Sequence, residues 1–149
     1  MNPLQAAQQL LALVSEYEPG LLSIPETAAD RTPGPEKWSR KQILGHLIDS
    51  AANNHQRFIR MQQTAELNFP GYQQDDWVRL NGYAARPWKD LVVLWAAYNR
   101  HVAHVMEGIA PEALGHIWDN GTSRYDLARV VADYAAHLRH HLEQIVGEA

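Results

Sequence analysis

The chain has 149 residues, 46% of them apolar and 20% charged, which suits one domain with a hydrophobic core and not a disordered tail. Thirteen Lys and Arg against seventeen Asp and Glu give a net charge of −4, the wrong sign for affinity built on phosphate neutralisation, so neither nucleic acid nor a membrane surface is expected as a partner. With no cysteine, disulfides, thiolate metal sites and cysteine nucleophiles are excluded, and soft-metal chemistry falls to histidine.

Residues 1–13 lack the basic and apolar regions of a signal peptide, and no apolar run reaches membrane-spanning length; a cytoplasmic protein is the expectation. Four segments of helical apolar periodicity follow in order, separated by stretches rich in Pro, Gly, Asn and Asp. The first runs from about Pro3 to Glu18, with Leu10, Val14 and Tyr17 on one stripe, and is predicted to stop at Pro19-Gly20. Residues 19–38 carry four prolines and read as a linker.

The second helix opens on a capping box, Ser39 with Gln42, and its stripe of Ile43, Leu47, Ala51, Phe58 and Met61 extends to about Glu66. The third starts with Pro87 and carries Leu91, Leu94, Trp95, Tyr98, Val102 and Val105 before Gly108. The fourth opens on Ser123 with Asp126 three residues on, shows Leu127, Val131, Tyr134, Leu138, Leu142 and Ile145, and ends at Gly147. No segment alternates with period two for long, and Asn81-Gly82 lacks flanking strands, so the fold class is all-α, a four-helix bundle.

Eight histidines stand at 46, 55, 101, 104, 116, 137, 140 and 141. His137 and His141, four apart on one helix, lie about 40° apart around the axis and roughly 6 Å along it, so they can chelate one ion. The same spacing arises readily in a histidine-rich helix, and a third ligand is needed. His46 is the best placed, beside the apolar stripe of the second helix, with Asp49, Ser50 and Asn53 continuing a polar flank that suggests a lined cavity.

His46 falls roughly 10 Å from the start of its helix and His141 roughly 9 Å from the end of its own, so the depths match only if the two helices are antiparallel. That requires a long crossover and predicts an up-down-down-up order. Residues 67–86 could reach some 60 Å extended, against roughly 36 Å for the helix; residues 108–123 are shorter but could also cross.

KWSRKQILGHLIDSAANNHQRF, GYQQDDW and YAAHLRHHLEQI together resemble the DinB/YfiT-like superfamily, over nearly the whole chain as a single domain. The resemblance implies that bundle topology and a divalent metal, zinc or nickel, held by His46, His137 and His141. It implies either a metal-dependent hydrolase of a small molecule or a transferase using a low-molecular-weight thiol, and a homodimer. A non-catalytic, metal-stabilised stress-response module remains an alternative.

Three imidazoles leave coordination positions open, as in a catalytic rather than a closed structural site. An ion there would activate water or polarise a carbonyl for hydrolysis, or hold a thiolate for transfer; without cysteine that thiolate must be external. Asp49, one turn from His46, is a candidate general base or imidazole partner, and equally a solvated carboxylate. His140 looks outward. His101 and His104 form a rival pair, more simply read as core-edge residues. Tyr72, Trp77 and Trp118 could wall a pocket, and Asp75 and Asp76 read as solvated turn residues.

Overall fold

The computed structural model describes residues 2–147. Four long helices carry the fold: α1 (Pro3–Leu22), α3 (Arg40–Gln63), α5 (Trp88–Glu107) and α6 (Leu127–Gly147); two short helices, α2 (Glu26–Asp30) and α4 (Gln74–Asn81), lie in the connections. In the bundle α1 packs on α5 and α6, and α3 on the same two helices, so α1 and α3 occupy opposite corners. No helix among the described residues is long and apolar enough to cross a membrane.

The capping box predicted at Ser39 forms, and a second one, not anticipated, starts the first helix. Asn2 and Gln5 exchange capping bonds at the start of α1, and Ser39 and Gln42 do the same for α3. Helix α1 passes through Pro19 instead of stopping there. A proline inside a helix removes its own donor and crowds the carbonyl four residues back, and tertiary contacts hold the turn beyond it: Leu21 is fully buried and its carbonyl accepts from Trp88 Nε1 at 2.7 Å.

The predicted linker is likewise not bare. Lys41, buried at the start of α3, pairs with Glu26 and with Asp30 at 2.7 Å, fastening α2 to the bundle. Pro87 caps α5 from outside, and Leu94, expected on the core stripe, is exposed while Leu91, Trp95 and Val102 are buried.

The all-α expectation misses a small sheet. Strands β1 (Glu66–Asn68), β2 (Ile117–Asp119) and β3 (Arg124–Asp126) pair in that order, the central β2 running parallel to β1 and antiparallel to β3. Three residues are too few for a period-two pattern to register. The sheet takes Glu66 from the predicted second helix and Arg124 to Asp126 from the predicted start of the fourth. Asp126, not Ser123, caps α6, its Oδ1 accepting from Arg129 N at 2.8 Å.

The segment 67–86 contains α4, closed by Gly82 in the left-handed region at φ 67°, and a 3-10 turn at Tyr83–Ala85. Asp75 and Asp76 are exposed in the first turn of α4, where carboxylates suit the helix dipole.

Candidate metal centre

His46 lies early in α3, and His137 and His141 lie late in α6; the two helix ends are held together by Arg40, whose Nε donates to the Ile145 carbonyl at 3.0 Å. One nitrogen from each of the three imidazoles falls within 4.8 Å of the others, and no further group of three metal-ligating side chains occurs among the described residues. Ring centroids stand 4.7 Å apart for His137–His141, 4.9 Å for His46–His141 and 6.2 Å for His46–His137. Small side-chain rotations bring such a set to the roughly 2.1 Å reach of a zinc ion.

The electrostatics favour neutral, ligating imidazoles. Burial, then the neighbouring His141 and His137, pushes His46 down to about 4. Burial also lowers His137, with His140 adding to it, and lowers His141 against the opposing bond to Gln144. His46 Nδ1 is buried without a hydrogen-bond partner among the described residues, a costly state that an ion or water would relieve. Gln144 Oε1 lies 3.3 Å from His141 Nδ1; in the tautomer in which Nδ1 donates, Nε2 keeps its lone pair for a metal. Trp38 covers one face of His46 at 5.2 Å.

Asp49 is placed differently from the polar flank expected of it. On a helix it is turned 60° from His46, while Ser50 is turned only 40° the other way. Its Oδ1 accepts from Tyr83 Oη at 2.6 Å and Asn81 Nδ2 at 2.9 Å, and its Oδ2 has no partner, so it bonds to no triad imidazole. Burial raises its pKa to about 6 against the Tyr83 bond, which lowers it. Gly45 makes this possible: a Cβ there would overlap the Tyr83 ring.

A cavity of about 340 Å³ opens beside His137, lined by Ser50, Asn54, Arg57, Trp118 and Tyr134 among others. Trp118 therefore does wall a pocket, whereas Trp77 packs edge-on against Tyr72 and is partly exposed. His101 and His104 are exposed on α5 and gain no third ligand; His101 faces His55, which bonds Tyr98 Oη at 2.9 Å. His140 is exposed beside His141. Sequence reasoning passed over Gly45, Trp38, Arg57 and Gln144. Arg57 carried a visible signal, since Ser50, Asn54 and Arg57 follow His46 at intervals of four, four and three on one stripe.

Among solved structures the fold is similar to YfiT from Bacillus subtilis, with a TM-score of 0.86 over 96% of this chain and 83% of that one, at 15% identity. That protein is described as a probable metal-dependent hydrolase with an unusual four-helix bundle topology. No curated protein matches the sequence. The model of the DinB superfamily matches residues 5–145, and the chain belongs to that superfamily.

Proposed function

We propose that His46, His137 and His141 hold one divalent metal ion, zinc or nickel, and that the protein is a metal-dependent hydrolase of a small molecule bound in the cavity at His137. The observation that carries this reading is the triad itself: three imidazoles from two helices, each biased toward its neutral form, with one buried nitrogen left unpartnered. A bound ion supplies Lewis acidity toward a carbonyl or water. The chain's own residues do the rest. Gln144 orients His141, Trp38 shields His46 from solvent, and the walls of the cavity hold the substrate next to His137.

The same reading takes the long helices in up-down-down-up order, with residues 67–86 crossing between α3 and α5. Its support lies in which ends meet. Lys41 at the start of α3 and the Trp88 amide at the start of α5 both bind Glu26, just beyond the end of α1, while Arg40 reaches the end of α6.

Metal analysis by elemental mass spectrometry on untagged protein tests the site. About one equivalent in the wild type, lost in both His46→Ala and His137→Ala with the helical circular dichroism retained, is expected. Wild type that holds no metal and cannot be reconstituted would overturn the reading.

Thiol transfer is the second reading, favoured by a second cavity of about 430 Å³. None of the three imidazoles lines it, but its lining includes Trp38 and Gln144, which contact His46 and His141. Turnover that requires an added low-molecular-weight thiol would select it over hydrolysis.

A further inference from the structure

Three cations are buried among the described residues, and two have evident partners. Lys41 sits between Glu26 and Asp30, and Arg40 donates to the carbonyls of Ile145 and Ala28. Arg57, only 8% exposed, has no carboxylate partner among the described residues. Its Nη1 makes one long bond, 3.4 Å, to Asn54 Oδ1, and its Nε is buried and unsatisfied. The guanidinium lies 4.0 Å from the centre of the Trp118 ring and 6.0 Å from that of Tyr72, contacts that only partly offset the loss of water. A buried charge without a counter-ion is costly, and arginine does not escape by losing its proton.

Arg57 lines the cavity that His137 also lines. The other arginine there, Arg129, is already neutralised by Asp133 at 2.8 Å. Among the described residues one unpaired cation therefore lines the cavity, its guanidinium carbon 4.0 Å from the centre of the Trp118 ring. Ser50 and Arg57 both line this space and stand seven residues apart on α3, about 10 Å along the groove.

We propose that the cavity binds a small molecule bearing a carboxylate, which pairs with the guanidinium of Arg57 while the rest of the molecule extends toward His137. A single planar anion matches one unpaired guanidinium edge; a phosphate dianion would bring a second charge toward Asp133 with nothing left to balance it. That the far end of the molecule is the reacting end rests on the metal-site reading; the carboxylate subsite does not. Arg57 is thus a binding residue, and its pairing with a group remote from the reaction fixes the substrate along the groove.

Calorimetric titration with 4-phenylbutyrate and its neutral amide tests the subsite without requiring turnover. The wild type is expected to bind the carboxylate about tenfold or more tightly than the amide. The preference should survive in His46→Ala and vanish in Arg57→Gln and Arg57→Met with metal content unchanged. Equal binding of the two probes by the wild type, a preference that persists in the Arg57 variants, or one that disappears in His46→Ala would overturn the assignment. Failure of metal binding alone would leave these ratios intact and strike only the metal reading. Phenylglyoxal labelling of the wild type, mapped by mass spectrometry, gives the same answer without a variant: 4-phenylbutyrate should protect Arg57 and the amide should not, and equal labelling under both would again refute it.

Discussion

Asp49→Asn should stabilise the protein at neutral pH. The carboxyl is 2% exposed, and burial raises its pKa from 3.8 to about 6 even though Tyr83 donates to it. Between those two values the folded state holds more protons than the unfolded chain, so this group's contribution is most favourable below pH 3.8 and is lost as pH rises through 6. The loss amounts to about 3 kcal/mol above pH 7. Asparagine keeps an Oδ1 for Tyr83 and Asn81, and its Nδ2 replaces an oxygen that already lacks a partner. Urea denaturation of both proteins at pH 4, 5, 6 and 7.5 measures the difference, with the histidines common to both chains. The variant's advantage should grow by about 2.5 kcal/mol from pH 4 to pH 7.5 and then stay level. A difference that does not change with pH would refute the argument, and loss of turnover in a stabilised variant would show Asp49 acting on a proton in the reaction.

Gly45→Ala sets helix propensity, about 1 kcal/mol in favour of alanine, against the overlap of its Cβ with Tyr83; the overlap should win, costing about 2–4 kcal/mol in chemical denaturation as the Tyr83–Asp49 bond is lost. Tyr134→Phe removes a buried hydroxyl that donates to Asn99 Oδ1 at 2.5 Å and strands a fully buried amide oxygen. A loss of about 1–3 kcal/mol with an unchanged denaturant slope is expected, and a neutral result would show that the amide has another partner. Asp126→Ala should cost about 1 kcal/mol as the true cap of α6, while Ser123→Ala should stay within about 0.5 kcal/mol of wild type; the reverse order in thermal melts would restore Ser123 as the cap.

What could be read from the sequence was whatever a few neighbouring residues decide. Ser39 with Gln42 starts α3 because both halves of the capping box lie in one turn, and the His137–His141 pair follows from helical geometry alone. Pro19 misled because its local cost is offset by the burial of Leu21 and the bond from Trp88, which lie 67 residues apart in the chain. The sheet escaped for a related reason. Its strands are three residues long and are brought together from positions 66, 117 and 124, so neither periodicity nor propensity had a window in which to act.

Asp49 and Arg57 separate two kinds of polar residue on α3. Asp49 faces the turn at Tyr83, where its bonds hold that turn against the helix. Arg57 shares the stripe of His46 and Ser50, so the helix itself carries a cation onto the face that holds the imidazole. An arginine needed only for solubility would sit on the exposed face and cost nothing. One turned inward, with Trp118 from the sheet against it and no carboxylate within pairing distance among the described residues, costs the fold stability. That cost has a physical explanation in a ligand anion, which links the small sheet, the α3 stripe and His137 on α6 into one binding groove.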